Sequence, residues 1–196
     1  MKGRRTLIEL IPFTEADIDR LIGWIPSLET LLVWTASSFG YPLTREHIEG
    51  HLRDSAARGD RLIYKAVDTE RREAVGHVEL GALDPRNRSL RIGRVLIDPA
   101  LQGRGLGAEM MRAALTRAFG EHRAHRVELG VFDVNPRAIR CYERVGFRRE
   151  GVRRDSFKAP EEPGMPEKYW SEITMSILDS EWAALPTRPR STSPRG

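Results

Sequence analysis

The chain has 196 residues, 40% hydrophobic and 31% charged, and its 32 Lys and Arg against 28 Asp and Glu leave a net charge of +4. That length and balance suit one domain with a substantial core, expected over residues 1–185 and followed by a disordered tail at 186–196 that lacks apolar residues. The arginines are scattered among acids without aromatic interleaving, which speaks against direct nucleic-acid binding. No apolar run is long enough for a bilayer and the start lacks a signal-peptide pattern, so no membrane partner and a cytoplasmic location are expected.

Taken in order, residues 6–13 read as a first strand ending near Pro12. Thr14 followed by Glu15 and Asp17 reads as the cap of a helix through Ile18, Leu21 and Trp24, which Pro26 stops. Residues 27–38 and 45–58 have the apolar spacing of two further helices, joined by a turn-rich link through Phe39 and Tyr41. Residues 61–67, 74–83 and 90–97 read as three antiparallel strands connected by charged turns. A glycine-rich loop then opens a helix through Met110, Leu115 and Phe119. A strand over 126–134, a helix over 138–145, and a closing hairpin of strands 148–157 and 168–178 complete the pattern. No internal repeat is present.

The informative stretch is Gln102, Gly103, Arg104, Gly105, Leu106, Gly107 and Ala108, placed between a strand and a helix. Glycines there can adopt positive φ, and the helix start points free N–H groups and its positive dipole end at the same spot, so the loop suits a phosphate or pyrophosphate. The phosphate loop of nucleotide triphosphatases fails, because no lysine or hydroxyl follows Gly107. A dinucleotide fingerprint matches formally through Gly103, Gly105, Ala108 and Glu128. Residues 98–102, however, separate its glycines from the strand, and Glu128 sits near the start of its strand rather than the end. A nicotinamide-dependent dehydrogenase is therefore the third reading.

The pattern of Gln102, Gly105 and Gly107 after a hydrophobic strand, followed by Asn135, Ala138, Tyr142, Gly146 and Phe147 at fixed spacing, resembles the two signatures of the GNAT superfamily of N-acetyltransferases. The front half, with its Pro42-Leu43-Thr44 link before the third helix, and the late strand from Tyr169 to Leu178 resemble the branch that includes ribosomal-protein N-terminal acetyltransferases and many small-amine acetylases. The resemblance implies an α/β (α+β) fold with a single mixed, mostly antiparallel seven-stranded sheet, flanked by helices and splayed into an acetyl-CoA cleft. It implies acetyl-CoA as co-substrate and a primary amine, on a protein N-terminus or a small molecule, as acceptor. By the same resemblance Val95, Leu96 and Ile97 offer backbone groups to the pantetheine, and Gln102, Gly103, Arg104, Gly105, Leu106, Gly107 and Ala108 surround the pyrophosphate. Asn135 and Ala138 form the opposite lip, and Tyr142 lies near the sulfur as general acid. The wall formed by the early helices implies Trp34, Phe39 and Tyr41 as candidate acceptor contacts.

The chain departs from the family at the general base. Relatives often carry a glutamate on the strand before the loop or five residues before the asparagine; here those places hold Arg91, Gly93 and Arg94, and Gly130. Strand alternation puts His77 and Glu79 on one face, which makes them candidate proton relays through water, with Glu128 and Asp133 as further carboxylates. The missing base also motivates a second class of reading, a non-catalytic acyl-CoA sensor. Cys141, the only cysteine, points about 100° from Tyr142 around a helix and reads as a small core residue rather than a nucleophile. No metal is expected, since His122 and His125 lack the spacing and carboxylate company of a site. The front-half acids Glu29, Glu46, Glu49 and Asp54 are dispersed and form no polycation pocket in sequence, and the closing hairpin offers an edge for a homodimer.

Overall fold

The computed structural model describes residues 8–161 and 166–186. Residues 187–196 of the tail expected at 186–196, the first two residues of the expected first strand and the middle of the 160–166 loop lie outside the described residues.

Seven strands form one sheet in the order β1-β2-β3-β4-β5-β7-β6: β1 Ile8–Pro12, β2 Arg61–Asp68, β3 Glu73–Asp84, β4 Ser89–Ile97, β5 Arg126–Phe132, β6 Arg148–Lys158 and β7 Tyr169–Leu178. Every neighbouring pair is antiparallel except β4 and β5, the mixed arrangement the sequence implies. One face carries α1 Ile18–Gly23, α2 Leu28–Thr35 and α3 Arg45–Arg58. The other carries α4 Leu106–Thr116 and α5 Pro136–Val145. Each face buries an apolar layer: Met110, Met111, Leu115, Leu129 and Ile177 on the α4 side, and Ile18, Leu21, Leu31 and Ile48 on the α1–α3 side.

The helix ends follow local chemistry. Ser27 Oγ accepts the Thr30 N–H at 3.2 Å and opens α2; Thr44 Oγ1 accepts the His47 N–H at 3.4 Å and opens α3. The second helix is shorter than the apolar spacing suggests, because Ala36 takes φ 54° and ends it before Ser37 and Ser38. Past Thr116 the helix widens into a π-turn, Arg117–Glu121. A sixth helix, α6 Asp179–Ala184, was not expected; its single turn and a half is too short to show apolar periodicity.

Two features of β4 position the site. Its pairing with β5 is confined to Ser89↔Arg126, Leu90↔Val127 and Arg91↔Glu128, so from Ile92 onward the two strands part. Its pairing with β3 jumps from Glu79↔Gly93 to His77↔Leu96, leaving Arg94 and Val95 opposite Val78 alone. This is a β-bulge, with Arg94 at φ 45°, and it turns the last residues of β4 toward the opening.

Candidate active site

Where β4 and β5 part there is a cleft of about 520 Å³. Its β4 wall is Gly93, Arg94, Val95, Leu96 and Ile97, and its β5 wall is Leu129, Gly130 and Val131. With no neighbouring strand between them, the facing backbone N–H and C=O groups of these walls are available to a ligand.

At one end lies the glycine loop. Gly103 and Gly105 take φ 86° and 85°, a conformation that favours glycine, and Gly105 is the N-cap of α4. The first N–H groups of α4, at Leu106 and Gly107, have no carbonyl one turn back and point into the cleft mouth with the positive end of the helix dipole. Gln102 braces the loop: its Nε2 donates to the Ile97 carbonyl at 3.3 Å and its Oε1 accepts from Arg137 Nη1 at 3.0 Å. Arg137 and Arg144, both lining the cleft from α5, add cations that sequence reasoning passed over; only their position beside the loop reveals them.

The opposite lip is the start of α5. Asn135 Oδ1 accepts the Ala138 N–H at 3.0 Å and Pro136 takes the first helical position, so strand β5 ends and the helix begins there. About two turns later Tyr142 lines the cleft, 7% exposed, and burial, with a smaller contribution from Cys141, pushes its phenol pKa up. It therefore keeps its proton at neutral pH and stands as a donor. Cys141 is half-buried in the cleft wall rather than in the core, which corrects the sequence expectation. Burial raises its thiol pKa, so it is not poised as a thiolate.

All the sequence-derived coenzyme positions except Arg104 line this one cleft. Arg104 turns outward, with Nη2 donating to the Ala100 carbonyl at 3.4 Å. Of the three acceptor candidates, Trp34 lines the cleft, together with Glu29, Thr30 and Val33 of α2. Trp34 Nε1 is buried and has no hydrogen-bond partner among the described residues. Phe39 lies behind it, stacked on the Trp34 ring at 6.2 Å and covered by the Arg94 guanidinium at 5.4 Å. Tyr41 is 49% exposed and bonds the Pro26 carbonyl at 3.4 Å. Neither Phe39 nor Tyr41 borders the cleft.

His77 and Glu79 do share a face, as alternation requires, but they are buried under α2 and α3 rather than set at the cleft. Glu79 Oε1 meets His51 Nε2 at 2.9 Å, while its Oε2 accepts from Arg61 Nη1 at 3.0 Å and Arg94 Nη1 at 2.8 Å. Burial opposes its charge, yet the His51 hydrogen bond and the nearby His77 and Arg94 outweigh burial and hold the carboxyl at about 2. His77 Nδ1 bonds the Arg94 carbonyl at 3.0 Å, and its burial lowers its pKa despite the Glu79 carboxylate 3.8 Å from Nε2. Both side chains thus grip the bulge at Arg94.

The face of β5 and its neighbours opposite α4 carries charges that no sequence window gathers. Arg91 Nη2 reaches Glu172 Oε1 of β7 at 2.9 Å, Arg153 Nη1 of β6 reaches Glu172 Oε2 at 2.9 Å, and Arg91 Nη1 lies 3.8 Å from Glu128. Among the described residues no group of histidine, cysteine and carboxylate ligands could hold a metal ion, and no helix is long and apolar enough to cross a membrane.

Residues 28–147, the stretch that contains both walls of the cleft, match the model of the acetyltransferase (GNAT) family. The chain belongs to that family. It is 32% identical over 101 residues to the spermidine N(1)-acetyltransferase of Vibrio cholerae, covering 52% of this chain and 55% of that protein. It is 35% identical over 68 residues to the spermine/spermidine N(1)-acetyltransferase of Bacillus subtilis, 35% of this chain and 45% of the relative. To the aminoglycoside N(6')-acetyltransferase type 1 of Klebsiella pneumoniae it is 27% identical over 151 residues, 71% of this chain and 73% of the other. The matches to the two polyamine acetyltransferases thus span only about half the length of those relatives. The solved structure of spermidine N-acetyltransferase from Vibrio cholerae in complex with CoA and spermine superimposes with a TM-score of 0.76 at 20% identity, over 90% of this chain and 98% of that one, and shows the shared GNAT fold.

The cleft suits acetyl-CoA, the co-substrate of this family. A splayed strand pair accommodates a narrow amide-bearing arm, and free N–H groups at a helix start with two arginines beside them suit its pyrophosphate.

Proposed function

We propose that the protein is an N-acetyltransferase that moves the acetyl group of acetyl-CoA directly to a primary amine. The observation that carries this reading is the parting of β4 and β5 after Arg91, with the α4 glycine loop on one lip and Asn135 and Tyr142 on the other. Acetyl-CoA supplies the thioester carbonyl and its leaving thiolate. In this reading the N–H groups of Gly103, Gly105, Leu106 and Gly107 hold the pyrophosphate, with Ala108 beside it, and the freed backbone of Val95, Leu96 and Ile97 pairs with the pantetheine amides. Backbone N–H groups past the bulge meet the developing oxyanion, where preorganised donors act most strongly because water is excluded. Tyr142, buried and protonated, gives its proton to the departing sulfur.

A small polyamine or aminoglycoside is the acceptor class favoured by the relatives named above, and a protein N-terminus is the other class. Glu79 and His77, each 2% exposed and bonded to His51, Arg61 and Arg94 away from the cleft, serve in this reading to fix the bulge rather than to exchange protons with the acceptor. The reading takes residues 1–185 as one domain, cytoplasmic in location, with the exposed eleven-residue edge strand β6 as the surface where two copies meet.

The test is release of free thiol from acetyl-CoA with spermidine, kanamycin, butylamine and an alanine-initiated peptide. We expect turnover with at least one amine, and Tyr142→Phe should lower kcat by about a hundredfold while coenzyme binding persists. Coenzyme binding without transfer to any amine would instead favour an acyl-CoA sensor, and an unchanged kcat in the variant would remove Tyr142 as the acid.

A further inference from the structure

The geometry points to Glu172 of β7 as the carboxylate that receives the acceptor's ammonium group and takes its proton, in place of a carboxylate carried by β4 or β5. This inference rests on the acetyl-transfer reading. It begins at Gly130, which lines the cleft on the β5 side, whereas Glu172 does not itself line the cleft and stands just behind that wall. A Cβ built on Gly130 would overlap Glu172 Oε1 and stand 2.5 Å from Arg91 Nη2. The space in which a side chain at position 130 would begin is therefore filled by the end of the Glu172 side chain. The register explains how. Phe132 pairs with Glu172 and Gly130 with Thr174, so Glu172 is the diagonal neighbour of Gly130 and leans along the strand across the bare glycine.

The face is the right one. Val127, Leu129 and Val131 point into the apolar layer beneath α4 and α5, so Glu128, Gly130 and Phe132 face the other side, where α2 and Trp34 border the cleft. The carboxylate is held without being used up. Oε1 takes one bond from Arg91 and Oε2 one from Arg153, and each oxygen has a second lone pair. The charged groups around it are Arg91 of β4, Glu128 and Arg126 of β5 and Arg153 of β6, and the Glu172 side chain is 20% exposed.

The step balances as follows. A primary amine arrives as its ammonium, and Glu172 takes one N–H proton and passes it to solvent. The freed lone pair forms the C–N bond to the thioester carbonyl carbon while the C–S bond breaks. Tyr142 gives its proton to the sulfur and the second nitrogen proton restores it, so that amide, thiol and one proton account for ammonium and thioester.

The competing view makes Arg91–Glu172 a strap that ties β4 to β7 over the gap. Solvent screens a pair exposed to this degree, so a strap alone would change the melting temperature slightly and the chemistry not at all. The experiment compares wild type, Glu172→Gln, Glu172→Ala and the double variant Glu172→Ala/Gly130→Glu, with spermidine, butylamine and an alanine-initiated tripeptide as probes. For Glu172→Gln we expect kcat/KM to fall about a hundredfold or more with the best probe, the acidic limb of the pH–rate profile to move up to the amine's own ionisation, and the acetyl-CoA-induced melting shift to persist. In the double variant the Glu172 end is gone and the flexible end of Arg91, 2.5 Å from a Cβ at 130, must swing aside to admit a side chain there; we expect activity to recover at least tenfold over Glu172→Ala. Activity of Glu172→Gln within twofold of wild type with its acidic limb intact, or a double variant no faster than Glu172→Ala, overturns the inference. A wild-type protein that acetylates none of the probes overturns the acetyl-transfer reading itself, and this inference with it.

Discussion

Glu79 shows what a single buried charge does in this fold. At 2% exposure it would be costly alone, but His51 from α3, Arg61 from β2 and Arg94 from the bulge surround it and make the ionised form the stable one. Replacing it with Gln keeps the shape and removes the charge that these groups face, which should destabilise the fold by about 3 kcal/mol. Two depressed values at this cluster contribute to the pH dependence. His77 in the fold binds its proton less readily than the ordinary 6.5, so stability is fully present above about pH 6.5 and declines as pH falls below it. Glu79, held at about 2 against an ordinary 4.5, adds a second loss between about pH 4.5 and 2. Urea melts from pH 7.5 down to 2.5 should show both declines in wild type and a flattened lower one in Glu79→Gln. A variant that melts within a degree of wild type at pH 7 would remove Glu79 as the anchor of the bulge. Alternation alone places His77 and Glu79 together in the sequence, but their partners come from residues 51, 61 and 94, and no local pattern announces that three separate elements will converge on one carboxylate.

Among the elements, the loop and the two helices beside it were the most legible. Gly105, Asn135 and Pro136 act through local backbone rules: a left-handed cap, a side-chain cap and a fixed φ. The Arg91–Glu172 contact was illegible, because it spans 81 residues and depends on β7, not β6, lying beside β5. The cap rule gives a sharp prediction. A Cβ at Gly105 would meet nothing within 4 Å, so Gly105→Ala suffers only from its φ of 85°, worth about 1–2 kcal/mol. If the backbone relaxes to relieve this, the N–H groups at the start of α4 turn away from the pyrophosphate. We expect Gly105→Ala to lower the melting temperature modestly and to weaken CoA binding about tenfold. Gly120→Ala is the control, since that glycine has open space and no positive φ and should leave CoA binding unchanged. Equal CoA affinity in the two variants, measured by calorimetry, would dissociate the loop geometry from coenzyme recognition.

At the scale of the whole molecule, the sheet is two halves joined weakly at the cleft. Strands β1 to β4 are paired along most of their length, as are β5, β7 and β6, but the two groups share only the three pairs from Ser89 to Arg91. The remaining links across the opening are side-chain contacts such as Gln102–Arg137 and Arg91–Glu172, together with the packing of α4 against α5. A ligand that lies between β4 and β5 and touches both lips therefore supplies cohesion where the backbone does not. Acetyl-CoA at a hundred times its dissociation constant should add about 2.7 kcal/mol, which for a chain of this size raises the melting temperature by about 5–10 °C. Free CoA should act similarly, because the pyrophosphate and pantetheine contacts do not require the acetyl group, whereas NAD should produce no shift. Stabilisation by NAD alone would return the loop to the dinucleotide fingerprint it formally matches. A shift with both CoA forms would place the coenzyme across the seam, and it should then shrink in Gln102→Ala, which cuts the brace between Ile97 and Arg137 while leaving the walls of the cleft in place.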